Sequence, residues 1–139
     1  MEDEKFNEST INRPLGGRIL DAPLVAIDIP SRVAQLKTEP AWEKSDRNAI
    51  TVYKTQQLRI VLIAMHAGAE MVPQISDAVI SIHVIDGMLN FKTESESLQI
   101  GAGQILNIHP LVTHHITAAE ETVFLLYMTD EVFGDIFQQ

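Results

Sequence analysis

An antiparallel β-sandwich or barrel is the fold class that this sequence predicts, and three observations predict it. From residue 49 onwards, short apolar segments alternate with turn residues, and no long helical period separates them. One of the junctions, Asp86-Gly87, is a strong hairpin signal. The chain has 139 residues, 45% of them hydrophobic, which is enough for one domain with a sizeable core.

The beginning of the chain predicts a flexible arm. Acidic residues crowd a single lysine in the first ten positions, and Gly16-Gly17 interrupts any regular period. We therefore divide the chain into an N-terminal arm over residues 1–20 and a single barrel domain over residues 21–139.

The next stretch predicts a short connection to the first long strand. Residues 23–29 are typical of an extended segment, and Pro30-Ser31 favours one or two helical turns that continue to Lys37. Trp42, the single tryptophan, lies in a polar stretch. We predict that it is a packing lid or an interface anchor.

The remaining elements follow from apolar alternation and turn residues. The last ten residues, 130–139, have an apolar helical face and predict a short C-terminal helix. The predicted strands cover residues 50–55, 58–65, 78–85, 88–93, 98–100, 104–108, 112–118 and 121–129.

Strand parity gives an inner and an outer face. His114 shares its parity with Val112 and Ile116, so His115 points to the opposite face. Two adjacent histidines on a strand therefore do not ligate the same interior metal ion. Segment 121–129 is apolar on both faces, so a second sheet or a second subunit is expected to cover its outer face. This strand, Trp42 and the arm together predict a homodimer.

Composition excludes several partners and locations. The net charge of −9 argues against nucleic acid as the main partner. The longest apolar run, residues 60–65, is too short to span a membrane, and the acidic N-terminus lacks the pattern of a signal peptide. The chain has no cysteine, which excludes disulfides and thiolate zinc sites and fits a reducing, cytoplasmic location.

Two spaced patterns flank the Asp86-Gly87 hairpin, and together they resemble the motifs of the cupins, small double-stranded β-helices of the jelly-roll type. The first cupin motif is G-x5-H-x-H-x3-4-E-x6-G, and its spacing matches from Gly68 to Gly87. Its three metal-ligand positions hold other residues. Gln74 and Ser76 stand in place of the histidines, and Ile80 stands in place of the glutamate.

The second cupin motif is G-x5-P-x-G-x2-H-x3-N. Gly103 and His114 match it, whereas His109, Leu111 and Ala118 depart from its proline, glycine and asparagine. The resemblance covers residues 49–129. It implies a cupin-type barrel between the arm and the C-terminal helix.

The resemblance also implies where a site would lie. A metal cupin holds a divalent ion with three histidines and one glutamate, and this chain keeps His114 alone of the four. Neutral amide and hydroxyl oxygens give a cation little charge compensation. We therefore expect no metal and no other cofactor. We predict a non-catalytic protein that binds a small, partly apolar ligand in its barrel through His114, Gln74, Ser76 and Ile80.

Two alternatives remain at this point. One is a diverged metal-dependent oxygenase or isomerase that uses His114 with His109 or His66. The other is a dimeric structural module whose barrel is filled by apolar side chains, namely Ile80, Ile82, Leu106 and Ile116.

Overall fold

The computed structural model describes residues 5–11, 13–74 and 76–129. This part of the chain contains two helices, α1 (Ile29–Thr38) and α2 (Pro40–Lys44). Its strands are β1 (Lys5–Asn7), β2 (Arg18–Asp21), β3 (Arg47–Lys54), β4 (Leu58–Met65), β5 (Glu70–Gln74), β6 (Ile80–Asp86), β7 (Met88–Lys92), β8 (Ser97–Gly101), β9 (Ile105–Ile108), β10 (His114–Ala118) and β11 (Thr122–Thr129).

The strands form antiparallel sheets, as the sequence predicts. A five-stranded sheet has the order β3-β4-β11-β6-β9, and a four-stranded sheet has the order β5-β10-β7-β8. A separate two-stranded sheet pairs β1 with β2. The predicted hairpin at Asp86-Gly87 is wrong, because β6 and β7 lie in different large sheets and do not pair; the junction is a turn between the sheets, and Gly87 has a φ of 96°.

The two larger sheets enclose an apolar cluster that we call the barrel core. Both sheets contribute to it through alternate residues of their strands, which confirms the predicted inner face of β6. Its buried members are Ile63, Met65, Ala69, Ile80, Ile82, Val84, Leu89, Phe91, Ile100, Ile108, Ile116, Ala118 and Phe124.

The outer face of the five-stranded sheet is covered by the helices of the same chain. Leu36 of α1 and Trp42 of α2 pack in one cluster with Val123 and Leu125 of β11. The prediction that β11 is apolar on both faces is thus confirmed, but the expectation that a second sheet or subunit must cover it was wrong. A helical layer serves the same purpose, since it removes the outer apolar side chains from water.

Besides β1 and β2, three elements differ from the sequence-based expectations. β5 was not predicted as a strand; it is an edge strand that contains Pro73, which supplies no backbone donor. α1 begins at Ile29, before the predicted start at Pro30-Ser31, because Asp28 caps it by accepting a hydrogen bond from the Ser31 backbone N–H at 3.2 Å. α2 starts at Pro40, a residue whose fixed φ suits a first helical position.

Part of the predicted arm is paired, since β1 lies antiparallel to β2 with Phe6 opposite Ile19. The division between an arm over residues 1–20 and a domain over 21–139 stays a prediction. The predicted C-terminal helix, residues 130–139, lies outside the described residues. In the described part of the chain, neither helix has the length and apolarity needed to cross a membrane.

Candidate functional site

His114 lies at the first position of β10, in the inner strand pair of the four-stranded sheet. It is 5% exposed. Its imidazole stacks on the ring of Phe91, with centroids 5.5 Å apart and an angle of 19° between the planes. Phe91 belongs to the barrel core, so the predicted inward orientation of His114 is confirmed.

A hydrogen bond fixes the orientation of this ring. Nδ1 of His114 lies 3.0 Å from the backbone carbonyl oxygen of Val112. A carbonyl accepts and does not donate, so Nδ1 carries the proton. In the neutral ring, Nε2 then holds the lone pair and can accept a hydrogen bond.

The backbone brings the first motif beside the second. In the register of β5 and β10, Gln74 lies opposite His114. The Ser76 carbonyl accepts a hydrogen bond from the Leu111 backbone N–H at 2.7 Å, and Ser76 Oγ accepts one from the Ala78 backbone N–H at 3.0 Å. The Gln74 side chain lies outside the described part. The neighbourhood that the motif spacing predicts is therefore present in the backbone.

Leu111 occupies the position of the family's second-motif glycine and keeps a glycine-like backbone. Its φ is 66°, the one positive value of a non-glycine residue in the described ranges. Its side chain is 66% exposed, so the strained backbone is not compensated by deep burial. The bond from its N–H to the Ser76 carbonyl helps to hold this conformation.

The donor set at these positions fits a divalent cation poorly. Ile80 is 4% exposed and packs within the barrel core, where it offers no lone pair. The remaining side chains supply one imidazole, one amide and one hydroxyl, without a carboxylate to balance the charge. Among the described residues, no three His, Asp or Glu side chains come close enough together to hold a metal ion.

The other histidines lie apart from this position. The ring of His66 stacks on Trp42 at 3.5 Å, and its Nε2 donates to the Trp42 carbonyl at 2.7 Å, in the outer layer. His109 is exposed in the turn before β10. Nε2 of His115 lies 2.9 Å from a Glu70 carboxylate oxygen on the outer face. Trp42 is thus a packing lid within this chain.

Two features of the structure were missed by sequence reasoning. Phe91, which supports the His114 ring, shares its parity with Leu89 on β7, and that alternation was the available signal. The second is a polar network around Glu39, which is 6% exposed. Glu39 accepts hydrogen bonds from Arg13 Nε at 3.0 Å, Gln35 Nε2 at 2.9 Å and Asn48 Nδ2 at 3.0 Å.

This network shifts the titration of Glu39. Burial by itself would raise the pKa of the carboxyl group. The hydrogen bonds from Gln35, Asn48 and Arg13, together with the positive charge of Arg13, outweigh that effect and lower the pKa below its ordinary value. The carboxylate is therefore held in its charged form.

Comparison with known proteins finds likeness in structure rather than in sequence. No family model and no curated protein matches the sequence. A conserved protein of unknown function from Streptococcus pyogenes is 16% identical, with a TM-score of 0.63 over 80% of this chain and 90% of its own. A cupin-2 domain protein from Shewanella frigidimarina is 16% identical, with a TM-score of 0.60 over 73% of this chain and 92% of its own.

An RmlC-like cupin from Methanocaldococcus jannaschii, described as a double-stranded β-helix, shows the same likeness. It is 16% identical, with a TM-score of 0.57 over 60% of this chain and 80% of its own. The chain therefore has the cupin fold, the double-stranded β-helix that the motif spacing predicts.

Proposed function

We propose that this protein is a non-catalytic binding module that accepts a small, partly apolar ligand in its cupin-type barrel, with His114 as the polar contact. Gln74, Ser76 and Ile80 would complete the lining. The proposal contains no metal and no other cofactor, because the residues at the family's ligand positions do not fit a divalent cation.

One observation carries the proposal: His114 brings an imidazole into an otherwise apolar core. The other buried polar side chains of the described residues are occupied elsewhere. Gln35, Glu39 and Asn48 belong to the polar network around Glu39, and the Thr122 hydroxyl accepts a hydrogen bond from the Met88 backbone N–H. A single polar group in an apolar surrounding orients a ligand, whereas the apolar walls supply the affinity.

A structural module with a filled barrel is the second candidate, and one observation favours it. Ile80, Ile82 and Ile116 are buried in the barrel core, and Leu106 packs against it. These are the four side chains that this alternative names. It differs from the first candidate in one measurable respect, since a filled barrel retains no organic ligand.

The proposal includes a homodimer in the cytoplasm. Because β11 and Trp42 are covered within the chain, the dimer rests on the arm alone. Support for the location is the absence of cysteine, since such a chain has no disulfide to lose in a reducing compartment. The partner is a small molecule and not nucleic acid, in keeping with the net charge of −9. Light scattering at micromolar concentration tests the dimer, and a monomer mass would contradict it.

Native mass spectrometry with a denatured control, followed by a thermal-shift screen of small amphipathic compounds, tests the function. A compound at 100 times its Kd stabilises the folded state by about 2.7 kcal/mol. We expect bound compounds to raise the Tm of the wild type and of His83→Leu, a control on the outer face of β6, but not of His114→Leu.

Three results would contradict the binding proposal. A metal ion bound to each chain would revive the enzyme alternative. A protein without an adduct that responds to no compound would support the filled barrel. Equal Tm shifts in the wild type and His114→Leu would place the ligand elsewhere.

A further inference from the structure

A cavity lies outside the barrel, between the N-terminal arm, the segment before α1 and α1 itself. Its volume is about 540 Å³, within the usual range of roughly 300–1,000 Å³ for small-molecule sites. We call it the arm cavity. Four large apolar side chains that remain substantially exposed line it, namely Phe6, Leu15, Ile19 and Leu24.

Two arginines also line the arm cavity. Arg32 Nη1 donates to the Leu15 carbonyl at 3.1 Å and to Gln35 Oε1 at 2.7 Å. Arg18 donates to the backbone carbonyls of Thr51 and Gly16, each at 2.6 Å. All of these acceptors are neutral. Among the described residues, neither guanidinium forms an ion pair with a carboxylate.

The carboxylates near these arginines have other partners. Asp28, which lines the same cavity, caps α1 through the Ser31 N–H, and Glu39 pairs with Arg13 at 3.0 Å. The pKa of Arg18 is lowered, first by burial and then by the positive charges of Arg13 and Arg32. The charged side chains that line the cavity are thus two arginines and one aspartate, an excess of positive charge in a chain whose net charge is −9.

We propose that the arm cavity binds an amphipathic carboxylate, with its head group on Arg18 and Arg32 and its apolar body on the side chains of the arm. The planar guanidinium donates two parallel hydrogen bonds to a carboxylate, which suits Arg to this role. The apolar wall suits an alkyl chain. The concave shape favours a single molecule over a flat membrane surface. An anionic membrane would also be repelled by the net negative charge of the chain.

Binding in the arm cavity does not depend on ligand binding in the barrel, since His114 is not among the residues that line the arm cavity. Membrane attachment and contact with a second copy of the chain are different occupants of the same surface. Each of them is an outcome of the test below.

Isothermal titration of the full chain with decanoate at low ionic strength tests the proposal. We expect saturable binding that weakens as salt is added, and no comparable binding of decyltrimethylammonium, which carries the opposite charge. Arg32→Gln should raise the Kd about tenfold, the effect of one lost charge-assisted hydrogen bond. Arg59→Gln removes the same charge from an exposed position away from the cavity and should leave the Kd unchanged.

A second variant does not depend on how well Arg32→Gln folds. Leu24 is 92% exposed, so Leu24→Glu places a repelling carboxylate at the cavity without removing core packing. Repulsion between the two carboxylates should also raise the Kd about tenfold. Leu98→Glu, on β8, is the matched control and should leave the Kd unchanged.

Four results would overturn the proposal. The first is no decanoate binding at millimolar concentration, and the second is wild-type affinity in both Arg32→Gln and Leu24→Glu. The third is loss of decanoate binding in His114→Leu, which would place the ligand in the barrel. The fourth is a different occupant of the surface. A dimer that Leu24→Glu dissociates while decanoate fails to bind would assign the surface to a second copy of the chain, and sedimentation with lipid vesicles would assign it to a membrane. Conversely, failure of the barrel proposal leaves the decanoate result unaffected.

Discussion

Replacing Gly87 by alanine should destabilise the barrel far more than the same change at Gly103. Both glycines have positive φ values, 96° and 85°. An added Cβ at Gly87 would lie 2.3 Å from the Glu121 carbonyl oxygen and 2.5 Å from Thr122 Oγ1, whereas at Gly103 it would meet nothing within 4 Å. The pair therefore separates the cost of crowding from the cost of the backbone conformation.

The magnitudes follow from these distances. A positive φ costs a residue with a Cβ about 1–2 kcal/mol, which both variants share. The entropy that alanine removes from the unfolded chain, about 0.4–1 kcal/mol, is also shared and cancels in the comparison. At Gly87 the backbone of Glu121 and Thr122 must shift as well, which adds about 1–3 kcal/mol. We expect Gly103→Ala to cost about 0–2 kcal/mol and Gly87→Ala to cost about 1–3 kcal/mol more.

Urea unfolding of both variants, followed by circular dichroism, measures the difference. The slope m should stay constant, so the two midpoints differ by roughly 1 M. Gly68→Ala, at another open glycine with a φ of 85°, repeats the Gly103 control. If Gly87→Ala loses no more free energy of unfolding than the two controls, the close approach of Gly87 to β11 is wrong.

Three further predictions concern stability. Glu39→Gln should cost about 2–4 kcal/mol, because it leaves donors of Arg13, Gln35 and Asn48 without their carboxylate. Because the pKa of Glu39 is lowered in the folded state, Glu39 stabilises the protein above its ordinary pKa of 4.5, and this stabilisation is lost as the pH falls through the folded pKa. Urea unfolding between pH 7 and 3 should therefore show a free energy of unfolding that falls with pH in the wild type and falls less in the variant. Leu111→Asn should stabilise the protein by about 0.5–1 kcal/mol in thermal unfolding, because asparagine tolerates the positive φ that leucine resists. Thr122→Val should cost about 1–3 kcal/mol in urea, since the Met88 N–H loses the hydroxyl that accepts from it at 3.0 Å.

Each of these has a control and a contradictory result. An acid slope unchanged in Glu39→Gln would show that the network does not set the charge of Glu39. Leu24→Asn makes the same change at an exposed leucine with an ordinary φ and should not stabilise the protein. Equal stabilisation by both variants would contradict the backbone strain at Leu111. Thr113→Val, at an exposed threonine, should be neutral; an equally neutral Thr122→Val would contradict the hydrogen bond.

Much of the barrel could be predicted from local patterns. The predicted strand 58–65 coincides with β4, and the inward parity of Ile80, Ile82 and His114 is confirmed. Alternation has this predictive value because successive side chains on a strand point to opposite faces. β5 lacked such a signal, since an edge strand with a proline is paired on one side only.

The candidate site was predictable to the level of the backbone. Motif spacing predicts that residues 74–76 lie beside residues 111–114, and the β5–β10 register and the bond between Leu111 and Ser76 show this. The Nδ1 tautomer of His114 and its stacking on Phe91 depend on contacts between strands. The order of residues within a strand predicts that Phe91 faces inward, but not which residue of another strand it meets.

The sequence by itself determined the fold class, the faces of the inner strands and the loss of the family's metal ligands, because each follows from residue type at a fixed spacing. Only the tertiary structure decided that α1 and α2 cover β11, that Leu111 takes a positive φ, and that Arg18 and Arg32 share one cavity. The physical reason is range. Periodicity shows which face of a strand must leave water, but the residues that cover that face come from distant parts of the chain. Polar contacts have the same long range, since Arg13 donates a hydrogen bond to the Ala49 carbonyl 36 residues away.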